Sequence, residues 1–334
     1  VVIFSQKGWI IELMTGGQFV SNCTADAMSR AAMALKSGSL VAFPTETVYG
    51  LGADATNPEA IARIYEAKGR PADHPLIVHI ADMQDIVEWS SDIPDYAIAL
   101  ARNFWPGPMT LILKRSELAE DFITGGQETV GLRVPNHVIA LALLNEFKKI
   151  GGKGIAAPSA NRFGHVSPTT ADAVEAELSA YLAPKDLILD GGPSLVGVES
   201  TIIDCTTKSP KILRPGAITE SMIEEVTKLD LSYDTTDIRV SGSLDNHYSP
   251  VAQVLLDIEP QPGDGYIALS HFETPEGVKR LASPKNDDEF ARQLYAALRS
   301  ADTQNLVRVV VKQPEGSGIT IAIRDRLQRA SNGR

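Results

Sequence analysis

Alanine and leucine set the first rhythm of the chain. Ala27, Ala31, Ala34 and Leu35 recur at the spacing of one helical face, and Gly38 closes the segment. The pattern then becomes a short continuous apolar run over 40–43, which predicts a strand ended by Pro44. Gly50-Leu51-Gly52 reads as a glycine turn, or as a place where backbone approaches a ligand closely. Asn57-Pro58 opens a helix with a capping side chain followed by proline at the first helical position. Ile61, Ile64 and Tyr65 supply its buried stripe, and Arg70-Pro71 forbids its continuation past Gly69. Residues 76–80 form a buried-type strand carrying one histidine, His79.

The same reading predicts helix over 82–102 with a break at Pro94, a rigid turn over 105–110, and a strand from Leu111. A strand with one arginine, Arg133, follows at 129–135, and then a helix at 137–149. Small residues and hydroxyls crowd 155–161 and 164–170. Ser167 or Thr169 is placed to cap a helix over 171–182, whose N-terminal N–H groups suit phosphate. Strands are expected at 187–190, 198–204 and 212–214, and a helix at 219–229. The polar, turn-rich run 230–250 reads as a linker, although its end, His247-Tyr248-Ser249-Pro250, is chemically rich for a tether. Beyond Val251, strands at 254–256, 266–269 and 307–311 alternate with helices at 290–299 and 319–330, as in a small parallel α/β domain.

With 334 residues, two ordinary domains fit the length. Neither GxGxxG nor GxxxxGK[ST] occurs, so neither common nucleotide fingerprint is present. A net charge of -11 argues against tight sequence-independent nucleic-acid binding, which needs cations against phosphate. Two cysteines, Cys23 and Cys205, make no disulfide framework, so a cytoplasmic protein is expected. No apolar run reaches the length of a membrane span. The first residues are broken by Lys7 and Glu12 and lack a long apolar region, which argues against a signal peptide.

Three features carry candidate chemistry. Lys68 and Arg70 leave a helix end in a restrained loop, where they either complement the helix dipole or hold phosphates. Arg133, inside an apolar strand, requires a charged partner, either a protein carboxylate or an anionic ligand. His79 is either a hydrogen-bonded structural residue or part of a site. Thr45 is explained by capping a loop.

The ordered motifs FPTETVYGLG, KGRP, PLIVHI, TVGLRVP, APSAN, SPT, GVESTI and ILRPGAI closely resemble the two-domain form of the threonylcarbamoyl-AMP synthases, strongly over about residues 25–250 and more loosely to the end. The resemblance implies a YrdC-like twisted mixed sheet with flanking helices around a large cavity, plus a small Rossmann-like parallel α/β domain. The division it implies is an N-terminal extension (1–24), a catalytic domain (25–229), a linker over the active site (230–250) and a C-terminal domain (251–334). The implied activity is a nucleotidyltransfer that joins L-threonine, bicarbonate and ATP, with Mg²⁺ carried on the phosphates. A downstream transferase complex would then modify adenosine 37 of tRNAs reading codons that begin with A. Lys68 and Arg70 are the implied catalytic pair. Arg70, His74, Thr129, Ser159, Asn161, Ser167, Arg214 and Tyr248 match the ATP contacts. Thr47, His79, Arg133, Ala157 and Ser200 match the threonine pocket. His74 stands where the family pattern has asparagine. A monomer with at most a weak tRNA contact and no membrane association is expected.

Two rival readings accompany this one. The YrdC-like fold is also linked with RNA binding and ribosome maturation, which would need an exposed basic face. Hydrogenase-maturation proteins share the domain but carry zinc fingers, which two cysteines cannot build.

Overall fold

A computed structural model describes residues 20–22, 24–242 and 248–333; of 20–22 only the backbone is considered. Cys23, most of the N-terminal extension and the linker residue His247 lie outside the described residues.

Eleven strands form one mixed sheet among the described residues: β1 (Val20–Asn22), β2 (Val41–Phe43), β3 (Gly50–Asp54), β4 (Ile77–His79), β5 (Ser90–Asp92), β6 (Met109–Arg115), β7 (Thr129–Arg133), β8 (Ile155–Ala156), β9 (Leu187–Asp190), β10 (Thr201–Asp204) and β11 (Lys211–Arg214). The spatial order is β1-β9-β2-β3-β8-β4-β7-β6-β10-β11, with β5 on the flank of β6. Register brings distant residues together. Parallel pairing of β4 with β7 sets His79 opposite Arg133. Parallel pairing of β10 with β6 places Ile202 opposite Thr110, and the Ser200 hydroxyl at the start of β10 meets that of Thr110 at 2.8 Å.

Helices cover this sheet through two apolar clusters. Pro58–Lys68, Asp95–Phe104, Ala171–Leu178 and Glu220–Thr227 feed one of them. Ala25–Lys36 and Val138–Lys149 feed the other. A second sheet of β12 (Gln253–Leu256), β13 (Gly265–Ile267), β14 (Lys279–Ala282) and β15 (Arg308–Val311) is wholly parallel, in the order β12-β15-β13-β14. Helices Asp287–Thr303 and Ile319–Ser331 pack on it. Its core also takes in Val48, Val166 and Val198 from the first sheet's loops, together with Tyr248.

Several local expectations change. Gly50 and Gly52 do not make a turn; they lie in β3, paired antiparallel to β2. Gly52 is required by crowding, because a Cβ on it would sit 2.7 Å from Ile155 Cγ2 and 2.8 Å from Phe43 Cε1. The cap of the helix at 171 is Thr170, whose hydroxyl accepts from Ala173 N at 3.2 Å, and not Ser167 or Thr169. That helix ends at Leu178 and a single 3₁₀ turn follows it. The stretch over 82–102 contains a short strand, β5, between two helical pieces. Its Ser90 hydroxyl donates to the Lys114 carbonyl of β6 at 2.9 Å.

Candidate functional site

The turn between β2 and β3 is tied by Thr45, whose hydroxyl donates to the Val48 carbonyl at 2.7 Å and lies 2.8 Å from the Thr47 hydroxyl. This is the capping role expected of Thr45, and it presents Thr47 to a cavity lined by Lys68, Arg70, Arg133 and Arg214. Asn57 caps the helix Pro58–Lys68, and Gly69 ends it in the left-handed region (φ 62°), so the chain reverses between two cations. Lys68 turns inward and its ammonium donates to the carbonyls of Ser159 at 2.6 Å and Asn161 at 2.5 Å. Arg70 donates to Pro75 O at 2.9 Å and to Ser241 Oγ at 3.1 Å, while its buried Nε has no acceptor among the described residues.

Arg214, the last residue of β11, enters from the opposite wall. It donates through Nε and Nη2 to Ser200 O at 3.1 and 3.0 Å, and through Nη1 to Ser241 O at 2.8 Å. Every one of these acceptors is a neutral oxygen. Burial is the main influence on all three cations. It holds the Lys68 ammonium well below its usual range and brings Arg70 down to about 10. It also lowers Arg214.

A second subsite adjoins the cations. Arg133 is buried, donates to Gly107 O at 3.3 Å and pairs with Glu46, Nη2 to Oε2, at 2.7 Å. His79 packs edge-on to Phe43, and its buried Nδ1 has no hydrogen-bond partner among the described residues. Burial, then the Arg133 charge, push its imidazole down to about 3, so it is neutral across the physiological range. Thr47, Ala157 and Ser200 complete this wall.

Ten of the fourteen expected site residues line this one cavity: Lys68, Arg70, Ser159, Arg214 and Tyr248 from the nucleotide set, and Thr47, His79, Arg133, Ala157 and Ser200 from the threonine set. Four do not. Asn161 accepts Lys68 through its carbonyl and spends its side-chain amide on the carbonyls of Arg162 and His165. The Ser167 hydroxyl donates to Glu199 Oε1 at 2.6 Å. His74 packs edge-on to Phe163, a lining residue, with ring centroids 5.4 Å apart. Thr129 lines a small neighbouring depression that shares Ser241 with the cavity. The helix Ala171–Leu178, whose N-terminus was expected to suit phosphate, contributes no lining residue.

Sequence reasoning missed Glu46, Glu199 and the linker pair Ser241-Gly242. Arg133's need for a counter-charge had signalled a carboxylate without identifying it. Gly242 (φ 79°) passes so close to Tyr248 that a Cβ there would meet its hydroxyl.

Buried cations facing small hydroxyls and an arginine-lined subsite, on a mixed sheet packed against a parallel domain, define a two-domain α/β protein suited to hold a polyanion beside a small polar ligand. Comparison with known proteins narrows this class. The family described as telomere recombination matches residues 33–216, and the family described as threonylcarbamoyl-AMP synthase, C-terminal domain, matches residues 218–332. The chain belongs to the threonylcarbamoyl-AMP synthase family. It is 39% identical to the threonylcarbamoyl-AMP synthase of Bacillus subtilis over 92% of this chain and 93% of that protein. The Schizosaccharomyces pombe enzyme of the same name is 32% identical, over 92% and 89% of the two chains. The crystal structure of P. abyssi Sua5 complexed with L-threonine superposes with a TM-score of 0.83 at 36% identity, covering 93% of this chain and 97% of that one. Among the described residues, no helix is long and apolar enough to cross a membrane.

Proposed function

We propose that this chain condenses L-threonine, bicarbonate and ATP to threonylcarbamoyl-AMP and pyrophosphate, and hands the product to a transferase complex acting on adenosine 37 of tRNAs reading codons that begin with A. One observation carries the reading: Lys68, Arg70 and Arg214 converge on the same cavity as Arg133, Thr47 and Ser200.

The residue types fit the chemistry. Arg133 offers a fork to the threonine carboxylate, and the Thr47 and Ser200 hydroxyls offer short polar partners to its amine and hydroxyl. The unpartnered Nδ1 of neutral His79 is a further polar atom, donor or acceptor according to its tautomer. The uncharged amine attacks CO2 derived from bicarbonate, forming the N–C bond and losing a proton to give a carbamate. A carbamate oxygen then attacks the α-phosphorus, and the bond to the bridging oxygen of the pyrophosphate breaks. Negative charge grows on that leaving group, where Lys68, Arg70 and Arg214 stand ready to meet it. Positioning and electrostatics supply the rate, and no side-chain nucleophile takes part.

Magnesium enters with the nucleotide, as MgATP. The phosphate side is lined by cations and hydroxyls, and its one carboxylate, Glu199, is already engaged by Ser167, Tyr295 and Arg326, so these side chains suit phosphate oxygens rather than a resident metal. The chain divides accordingly into a catalytic domain (25–229), a linker over the cavity (230–250) and a C-terminal domain (251–334) that packs against Val48, Val166 and Val198.

The test is pyrophosphate release with each substrate omitted in turn. Release should fall to background without threonine or without bicarbonate, and collapse in Arg70→Ala. Release indifferent to threonine would point to a different adenylating enzyme.

A further inference from the structure

The two domains meet at a buried carboxylate. Glu199, just before β10, lines the cavity beside Ser200 and Arg214. One of its oxygens accepts the Ser167 hydroxyl at 2.6 Å. The other accepts the Tyr295 hydroxyl and Arg326 Nε, both at 2.8 Å. Tyr295 and Arg326 belong to the two helices of the C-terminal domain. Arg326 is completely buried. Its Nη2 donates to Pro215 O at 2.9 Å, next to Arg214, and Nη1 binds Asp325. Its guanidinium also lies 5.4 Å from the ring centroid of the linker tyrosine, Tyr248.

A carboxylate in the wall of a triphosphate site is a liability. Left alone, it would repel the phosphates or draw on the Arg214 guanidinium, whose charge already acts on it. Burial pushes the Glu199 carboxyl up, but the charges of Arg326 and Arg214 and the hydrogen bonds from Ser167 and Arg326 outweigh it and bring the group down to about 2. Glu199 is therefore ionised, and its charge is met from the C-terminal side.

We infer that Arg326 is a positioning residue for the proposed reaction: by holding Glu199 from the C-terminal domain, it leaves Arg214 on neutral oxygens and available to the nucleotide phosphates. This rests on the reading of the cavity as an ATP site. It gives the C-terminal domain an electrostatic task besides covering the cavity. Arg299–Glu177, at 3.0 Å, and Arg292 Nε to Leu195 O, at 3.0 Å, fasten the same interface, so docking does not rest on Arg326 alone.

The experiment compares full-length wild type, Arg326→Met, Arg326→Lys, Glu199→Gln and Glu199→Gln/Arg326→Met. MgATP dissociation constants are read by calorimetry, and KM values by pyrophosphate release. Arg326→Met should weaken MgATP binding by about tenfold or more while the threonine KM stays within about twofold. Arg326→Lys, which keeps the charge, should bind MgATP within about threefold of wild type. Removing the carboxylate as well should rescue binding, bringing the double variant to within about threefold of Glu199→Gln. The inference is overturned if Arg326→Met binds MgATP like wild type, or if the double variant binds no better than Arg326→Met. Should Arg326→Met fail to fold, the double variant decides: binding about tenfold weaker than in Glu199→Gln overturns the inference. A wild-type protein that binds MgATP but releases no pyrophosphate with threonine and bicarbonate would instead sink the proposed function, leaving the binding comparison intact.

Discussion

Arg133 Nη2 lies 2.7 Å from Glu46 Oε2, with both side chains only 6% exposed, yet the alignment is too poor for a directed hydrogen bond. The pair is thus neutralised but incompletely satisfied, which is how an arginine awaiting a second carboxylate would be held. Glu46→Gln should destabilise the free protein by about 3 kcal/mol, because it leaves a buried charge without its counter-ion. Threonine would then restore the missing anion. The rise in melting temperature on adding threonine should exceed that of wild type. Equal shifts in the two proteins would show that Arg133 does not receive the amino acid's carboxylate.

Lys68 supplies a pH signature. Burial, and after it the Arg70 charge, hold its ammonium well below the ordinary 10.5. A lysine is charged below its folded pKa, so the charge offered to phosphate is lost as pH rises through that lowered value. The kcat/KM for ATP should therefore fall on the alkaline side well before pH 10.5, by about tenfold per pH unit. In Lys68→Arg the limb should leave the accessible range, since a guanidinium stays protonated there. Activity will also drop, because a planar fork cannot reproduce the bonds to the Ser159 and Asn161 carbonyls. An unchanged alkaline limb in Lys68→Arg would assign the titration to another group.

How much of this was legible in the chain follows from what each signal depends on. Asn57-Pro58 and Gly69 mark the helix Pro58–Lys68 because caps and left-handed stops are local properties. Arg133 announced the need for a counter-charge, since burial of an arginine in an apolar strand is itself readable. Which carboxylate answers it was not readable, because that depends on how the turn carrying Glu46 folds back. Gly52 shows the reverse failure. Its glycine signal is real, but it records the approach of Phe43 and Ile155 rather than a bend. Arg326 sits on a helix whose pattern gives no hint that an arginine is its most enclosed charge. Its partners Glu199 and Pro215 lie across the domain interface, out of reach of any local pattern.

Gly52 itself is testable. A methyl there would come 2.7 Å from Ile155 Cγ2 and 3.0 Å from Val41 O, and neither β8 nor β2 can retreat without losing its pairing with β3. Gly52→Ala should cost about 1–3 kcal/mol in urea unfolding, by overpacking a position that does not itself line the cavity. A loss of less than a few tenths of a kcal/mol would mean the sheet yields there, and the crowding explanation would fail.

His79 gives the acid counterpart of the Lys68 signature, with the sign worked from its depressed value. Burial and the Arg133 charge take the folded imidazole to about 3, against 6.5 for an unperturbed histidine. Between these values the unfolded chain binds a proton that the folded protein refuses. Stability from this residue is complete above pH 6.5 and is lost as the pH falls toward 3, at about 1.4 kcal/mol per unit. His79→Gln removes the titration while keeping a polar side chain of similar reach. His74 and His137, also lowered by burial, are common to both proteins and cancel in the comparison. The stability advantage of wild type over His79→Gln, read from urea melts, should therefore shrink steadily as the buffer is taken from about pH 6.5 to 4.5. Parallel stability curves over that interval would mean that His79 takes up its proton as readily in the fold as out of it. In that case the buried imidazole would not be held neutral beside Arg133.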